Sequence, residues 1–558
     1  MMLRESYGLG SQDEKLSELT ISEQLELTTS LYPDKEALIV SHQDIRWSYK
    51  ELLSQVNSLA LGLLSLGIKK GDRVAIWGPN SFEWTLTQFA SAKIGAVMVC
   101  INPAYRLFEL EYALKQSACK AIITADTFKT SHYLKMLQEL LPELEVADQT
   151  ALNAQALPDL RVVIRMGEEE TAGMLNFDEV CQMGGAEEQA MMLSLDLNPD
   201  DPINIQYTSG TTGSPKGATL SHRNILNNGI IVGAGMRLGN RDRLCIPVPL
   251  YHCFGMVMGN LACVGHGATM VYPAAGFDPK VTLSVVEAER CTALHGVPTM
   301  FIACLEFAKH YDLSSLRTGI MAGAPCPEEI MKRVMQEMHM SEVLIAYGQT
   351  ELSPVSHMTA YDDPLEKRVS TVGKPGPHLE VKITDADGHI VAIGETGEIC
   401  TRGYSVMSGY WADPERTGET IDSEGWLMSG DLGVMDQEGY VEIVGRIKDM
   451  IIRGGENIYP REVEEFLYTL ADIEDAHVFG VADSAMGEEV CAWVKLKDGK
   501  SLAAQEIREH CQGKITHFKI PRYIRIVESF PMTVTGKIQK FKMREQMTLM
   551  LQEENVDQ

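Results

Sequence analysis

Basic charge is scarce in this sequence: 49 lysines and arginines stand against 77 aspartates and glutamates, leaving a net charge of -28 and a pI near 4.9. Binding along a phosphate backbone is driven by counterion release to clustered cations, and a chain so acidic argues against nucleic acid as a partner. Paired cysteines are missing too. The twelve cysteines are scattered singly between Cys100 and Cys511, with no C-x-x-C pair and no cysteine–histidine spacing suited to zinc. They read as small apolar residues in a reducing cytoplasm. No unbroken apolar run suits an integral membrane segment: residues 255–272 come nearest, but Gly255, Gly259, Asn260, Gly265, His266 and Gly267 interrupt them, so they read as a buried helix and a strand. Residues 1–15 mix Arg4, Glu5, Asp13, Glu14 and Lys15 without an apolar centre and fit no secretory signal. Internal repeats, low-complexity tracts and basic amphipathic helices do not stand out.

What is present is enough chain for a large globular protein. At 558 residues, 45% of them hydrophobic, it should divide into three or four units of about 100–200 residues each. Apolar residues recur at helical spacing over 21–32 and 52–66, residues 72–77 and 97–101 read as strands, and Ser81 caps a helix through Lys93 between them. Similar alternation continues through strands at 120–124 and 160–165, so the class is α/β with parallel sheets covered by helices on both faces. The acidic stretch 168–201 reads as a solvated surface connection. Ser221 opens a helix through Gly233, and a second α/β unit follows with strands at 244–249, 268–272, 292–297, 319–322 and 343–347. Residues 380–383, 397–402 and 440–444 suggest antiparallel strands of a small β-barrel. Beyond it, helices at 463–470 and 504–512 and strands at 476–481 and 490–496 make a compact α+β domain. The boundary is expected at Ile447-Lys448, giving a large N-terminal domain at 1–447, of two αβαβα-type subdomains plus the barrel, and a mobile C-terminal domain at 448–558.

The chain is organised around Tyr207-Thr208-Ser209-Gly210-Thr211-Thr212-Gly213-Ser214-Pro215-Lys216-Gly217, which follows the short alternating run 203–206. Glycines without a Cβ let backbone N–H groups close on phosphate oxygens, hydroxyls add donors, and the lysine supplies a point charge. A Walker P-loop needs Gly-Lys-Ser/Thr, whereas Pro215 precedes and Gly217 follows this lysine, so that reading fails. A plain flexible turn seldom joins so many hydroxyls to one lysine directly after a strand. The loop points to a user of a nucleoside triphosphate.

These eleven residues resemble the signature of the adenylate-forming (AMP-binding) superfamily, and other segments extend the resemblance over nearly the whole chain. Gly323-Ala324-Pro325 and Ala346-Tyr347-Gly348-Gln349-Thr350-Glu351 match its adenine turn and Y-G-x-T-E segment. A tyrosine beside a tight turn can sandwich an adenine, and a carboxylate can hold Mg²⁺ against a triphosphate. Thr208 and Glu351 are the metal site that the resemblance implies. Trp426-Leu427-Met428-Ser429-Gly430-Asp431 resembles W-x-x-T-G-D with serine for threonine, and implies that Asp431 accepts the ribose hydroxyls. Arg446, in Gly445-Arg446-Ile447-Lys448-Asp449, would reach ribose or phosphate, and Lys448 would be the hinge between domains. Arg453-Gly454-Gly455-Glu456-Asn457-Ile458-Tyr459-Pro460 would line a channel for the pantetheine of coenzyme A. Pro531-Met532-Thr533-Val534-Thr535-Gly536-Lys537-Ile538 would bring Lys537 to the charge that develops during adenylation.

The acid is narrowed by Pro249-Leu250-Tyr251-His252-Cys253-Phe254-Gly255, which resembles the P-x-x-H-x-x-G of acyl- and aryl-CoA synthetases. No aspartate is present there to bind an amino-acid ammonium, which disfavours amino acids. His252 would border the carboxylate and phosphate, although a lone histidine among glycines is about as often a core residue. Gly255 to Gly259, Met321 to Gly323 and Ala346 offer small apolar walls suited to an alkyl chain. With Trp77-Gly78-Pro79-Asn80 and Ile101-Asn102-Pro103-Ala104-Tyr105, the chain looks most like medium- to long-chain fatty acyl-CoA synthetases. That resemblance implies a fatty acid, ATP and coenzyme A as substrates. Transfer to a carrier protein and an inactive nucleotide-binding scaffold are the competing functions, and a homodimer stays open.

Overall fold

In the computed structural model the described residues are 4–208, 215–324, 326, 328–454, 456–483, 486–532 and 538–556. The chain divides into two compact units, one of Leu9–Glu380 and Thr401–Leu427, the other of Met1–Gly8, Val381–Cys400 and Met428–Gln558.

The larger unit is built on two sheets. The eight-stranded sheet runs Leu175–Asn176, Val162–Arg165, Ala121–Thr124, Arg73–Trp77, Val97–Cys100, Pro202–Thr208, Lys216–Ser221 and Gly409–Tyr410. Its first six strands are parallel, and the last two join antiparallel. The nine-stranded sheet runs Lys374–Pro375, Val355–Met358, Glu342–Gly348, Thr318–Ala322, Ala293–Leu294, Arg243–Cys245, Thr269–Tyr272, Glu36–Val40 and Ile45–Ser48, parallel except at its ends. Central strands such as Val162–Arg165 and Thr269–Tyr272 are buried throughout, as parallel strands covered on both faces must be.

The helix Phe82–Lys93 shows why the sheets share one interior. Ser81 caps it by accepting the Trp84 N–H at 3.2 Å, and Glu83 through Ala92 are all buried. Its Trp84, Leu86 and Phe89 join Val74 and Ile76 of one sheet and Leu38 and Met270 of the other in a single apolar cluster. The helix His222–Gly235 starts at Ser221, whose hydroxyl accepts the Asn224 N–H, as its sequence predicts. The stretch 168–201 is more ordered than a solvated connection. It forms the helices Phe177–Gln182 and Ala186–Leu193, which bury Phe177, Val180 and Met192, so the apolar residues among the acids decide its structure.

Most residues of two further sheets fall in the smaller unit. The strands expected to close a small barrel form an open sheet in the order Tyr7–Leu9, Leu379–Thr384, Thr396–Gly403, Leu427–Met435 and Val441–Arg446. Among the described residues no pairing joins its first strand to its last, because the chain supplies five short strands and no partner that bridges the edges. The second sheet pairs Ile473–Asp483 with Gly487–Leu496, which carries Tyr523–Ile526 and Ile451–Arg453 in turn. Pro460–Leu467 and Ala504–Cys511 pack on it through Val463, Leu467, Ile507 and Cys511. Among the described residues no helix is long and apolar enough to cross a membrane. None of the twelve cysteines forms a disulfide, and ten of them are buried.

Three buried histidines make the larger unit sensitive to acid. Burial lowers His222 to about 4, His295 to about 4 and His357 to about 3, from 6.5. Each stays neutral when folded, whereas the unfolded chain takes up a proton below pH 6.5, so stability is full above that pH and is lost as pH falls toward 4. Each group accounts for up to about 3 kcal/mol of that loss. The midpoint of urea unfolding should fall between pH 7 and 4.5, and His222→Gln should flatten the slope.

Candidate active site

Within the larger unit, four residues meet where Pro202–Thr208 and Lys216–Ser221 pair. Thr208 lies directly opposite Lys216, and its hydroxyl donates to the Lys216 carbonyl at 3.4 Å. The next strand over, Gly409–Tyr410, places Tyr410 opposite Ala218. Alternate residues of a strand share a face, so Lys216 is the diagonal neighbour of Tyr410. Its ammonium sits 4.8 Å from the centre of the tyrosine ring. The Tyr410 hydroxyl donates to Glu351 Oε1 at 2.9 Å, with both residues buried. Burial, and then the nearby Glu351 carboxylate, push the Tyr410 phenol far above its ordinary range, so it remains a donor.

Glu351 reaches this point from the second sheet. Glu342–Gly348 ends in a tight turn whose 3₁₀ segment is Thr350–Leu352. Gly348 is required there, because a Cβ would lie 1.8 Å from the Pro354 carbonyl oxygen. The Met407 N–H donates to the Glu351 carbonyl at 2.9 Å and ties the turn to the segment that leads into Tyr410. The parallel strands Thr318–Ala322 and Glu342–Gly348 keep register up to Ala322 opposite Ala346, so Gly323 and Ala324 leave the sheet at its carboxyl edge beside Tyr347, which stays in its own strand. Crevices beyond such edges are where open α/β sheets collect ligands. Tyr347 is half-buried and has His357 as its cross-strand neighbour, ring centres 5.7 Å apart. His252 is half-buried at the start of the short helix Cys253–Gly255, its ring 4.2 Å from that of Tyr251. Pro215 is half-buried, and Gly348 and Thr350 lie in the turn between Tyr347 and Glu351.

The smaller unit brings a second group together. Asp431 is buried and pairs across two antiparallel strands with Arg446, Nε to Oδ1 2.9 Å. Its N–H is received by Ser429 Oγ at 3.1 Å, so the serine that replaces threonine keeps a bonding hydroxyl. The Gly430 N–H donates to Glu398 at 2.8 Å, and burial raises that carboxyl. Lys448 is exposed on the 3₁₀ turn Ile447–Asp449, and Gly454 and Glu456 are exposed around the hairpin between Ile451–Arg453 and Glu456–Ile458. Residues 209–214, with Ser209, Gly210, Thr211, Thr212, Gly213 and Ser214, lie outside the described residues, as do Pro325, Gly455 and Lys537.

Sequence reasoning missed Tyr410. Its only local signal is Gly409-Tyr410-Trp411 ahead of Asp413-Pro414, where Asp413 caps the helix Pro414–Thr420.

The lysine of one sheet and the buried carboxylate of the other thus meet through Tyr410 at strand ends, the place where open α/β enzymes collect their ligands. The chain belongs to the AMP-binding enzyme family, which it matches over residues 25–411, with the AMP-binding enzyme C-terminal domain at 462–537. It is 49% identical to YngI of Bacillus subtilis (strain 168) over 94% of this chain and 96% of that one. It is 46% identical to the mitochondrial medium-chain acyl-CoA ligase ACSF2 of Bos taurus, over 97% of this chain and 90% of that one. Among solved structures it is similar to the anthranilate CoA ligase AuaEII in complex with anthranoyl-AMP, at 26% identity and a TM-score of 0.84, covering 97% of this chain and 99% of that one.

Because Glu351 is shut away from water, the Tyr410 hydroxyl is a hydrogen bond to a charge. Tyr410→Phe should keep the ring under Lys216 and destabilise the protein by about 2 kcal/mol. A lowered thermal midpoint with unchanged far-UV circular dichroism is the expected record.

Proposed function

We propose that this chain is an ATP-dependent fatty acyl-CoA synthetase, an acid–thiol ligase that activates medium- to long-chain acids through an acyl adenylate. The observation that carries the reading is the contact from Lys216 through Tyr410 to Glu351, which joins the lysine of the signature loop to the carboxylate of the Y-G-x-T-E turn. A carboxylate does not react with a thiol directly, because its oxygen is a poor leaving group. In the first step the acid's oxygen attacks the α-phosphorus of ATP, a new P–O bond forms, and pyrophosphate departs with the electrons of the bond it leaves. In the second, the sulfur of coenzyme A attacks the acyl carbonyl carbon, AMP leaves, and the thiol proton passes to solvent.

The residues divide these tasks by their chemistry. Lys216 and the loop 209–214 grip the phosphates, Tyr347 stacks on the adenine beside Gly323 and Ala324, and Asp431 receives the ribose hydroxyls with Arg446 beside it. The Thr208 hydroxyl and Glu351 carboxylate are oxygen donors that suit a hard divalent cation, and would hold Mg²⁺, whose charge would offset that of the triphosphate. His252 borders the reacting carboxylate, and Lys537 meets the negative charge of the transition state. Residues 454–456 line the path of the pantetheine thiol. We place the hinge at Lys448, so that residues 448–558 turn as a lid between the two steps over the domain 1–447. Twelve cysteines without a disulfide support a reducing compartment, the cytoplasm.

The test is a panel of saturated acids supplied with ATP, Mg²⁺ and coenzyme A. AMP and pyrophosphate should appear in equal amounts with the thioester. Lys537→Ala should slow pyrophosphate release about 100-fold or more while binding ATP as the parent does. Release at the parent rate would remove Lys537 from the chemistry, and a panel yielding no AMP would end the synthetase reading.

A further inference from the structure

One helix of the larger unit changes its winding partway along. Cys253–Gly255 and Ala262–His266 are α-helical, but Met256–Leu261 between them is a π-helix, with the Ala262 N–H bonded to the Val257 carbonyl five residues back. A π-turn carries an extra residue, widens the helix and leaves carbonyls without the partner an α-helix would supply. In a dry interior such groups need another donor. All six residues of the turn are buried.

Two side chains from elsewhere in the fold supply those donors. Gln88, on the buried helix Phe82–Lys93, donates Nε2–H to the Met256 carbonyl at 3.1 Å. His295, at the end of the strand Ala293–Leu294, donates Nε2–H to the Met258 carbonyl at 3.0 Å. Neither is adventitious. Gln88 has its own oxygen held by Asn260 at 2.8 Å, Asn260 is held by the Tyr272 hydroxyl at 2.6 Å, and Tyr272 meets Thr85 at 2.8 Å, every member buried. His295 is wholly buried, and its ring lies 5.1 Å from Phe254, two residues past His252.

The turn also faces the phosphate end of the site. Gln206, two residues before Thr208 on the same strand, donates to Met256 Sδ at 2.8 Å. On the opposite side His222–Gly235 approaches so closely that a Cβ on Gly229 would meet Leu261 Cβ at 2.8 Å and the Val257 carbonyl oxygen at 3.0 Å. The backbone of the turn is therefore pinned on several sides. Beyond His295, Gly296 bridges to Met321, the first residue of the other apolar wall, Met321 to Gly323.

We propose that Gln88 and His295 are positioning residues that hold the Met256–Leu261 π-turn open as one wall of the acyl pocket, and thereby set the chain length of the acid that the enzyme accepts. The inference rests on the acyl-CoA synthetase reading above. Without its two donors the turn relaxes toward the α-helix, the extra residue is expelled, and the side chains of Met256 and Met258 rotate to new positions along the wall.

The test compares kcat/KM for saturated acids from six to sixteen carbons in the parent, Gln88→Met and His295→Phe, with His295→Gln as the variant that keeps a donor. The ratio between the parent's best acid and the acid two carbons longer should change about tenfold in the first two, as one or two methylenes in an apolar pocket allow. His295→Gln should hold the parent ratio, and KM for ATP should stay within about twofold in all. If all acids fall by a common factor, or the ratio does not move, the inference is overturned. Should Gln88→Met fail to fold, Asn260→Ala, which removes the support of Gln88 Oε1 together with the acceptor of the Tyr272 hydroxyl, must give the same shift. A parent inactive on every acid would instead refute the synthetase reading, so the two failures are separable.

Discussion

A carboxylate shut away from water needs donors, and in the larger unit the Glu351 side chain accepts the hydroxyl of Tyr410. Much of the surrounding geometry keeps these two groups within reach of each other. The Trp411 N–H donates to the Gly217 carbonyl at 2.7 Å and the Ser408 N–H to the Thr219 carbonyl at 2.9 Å, which zips the segment carrying Tyr410 onto the strand that starts at Lys216. Asparagines on His222–Gly235 hold the flanking backbone. Asn224 donates to the Val406 carbonyl, and Asn228 both donates to the Val355 carbonyl and accepts its N–H, as a paired strand would. An amide side chain can imitate a peptide group because it carries one acceptor and two donors in a plane. The helix that follows the signature loop thus fixes both halves of the Tyr410–Glu351 pair.

Local pattern carried most of the architecture, and pairing between distant segments carried the rest. The runs at 72–77, 97–101 and 120–124 are apolar on both faces, which is enough to mark covered parallel strands, and Ser81 and Ser221 announce their helices by capping. Tyr410 was not legible. Its meaning comes from a two-residue strand whose partner lies about 190 positions earlier, and no local periodicity encodes such a register. The open sheet was misjudged for a similar reason: alternation marks each strand, but whether edge strands meet depends on stagger and twist. The helices of 168–201 were hidden by charge, since Phe177, Val180 and Met192 are outnumbered by acids yet decide the packing.

The smaller unit solves the burial of charge differently. Glu489 is 1% exposed and receives Arg453 through two nitrogens, at 2.6 and 3.1 Å, and Arg522 at 3.2 Å. One carboxylate against two guanidinium groups satisfies several lone pairs at once, which isolated buried ion pairs fail to do. The Ile452 N–H donates to Glu488 at 2.8 Å and the Gly454 N–H to the Met486 carbonyl at 2.8 Å, so consecutive acids of one strand anchor consecutive residues of its neighbour. The hairpin that opens at Arg453 therefore stands on a rigid base, although Gly454 and Glu456 themselves are exposed.

Buried histidines show what happens where no charge is tolerated. Burial lowers His295 to about 4, so near neutral pH its ring carries one proton, and since the Met258 carbonyl can only accept, that proton must sit on Nε2. Nδ1 is left without a hydrogen bond inside an apolar cluster. A bare acceptor costs something there, whereas an unpaired carbonyl in the π-turn would cost about as much and would also release the backbone. An amide such as Gln88, with its oxygen already held by Asn260, donates without leaving that remainder. The π-turn thus takes neutral donors to shape its backbone, whereas the Glu351 charge lies at a strand end where a cation stands beyond the Tyr410 ring.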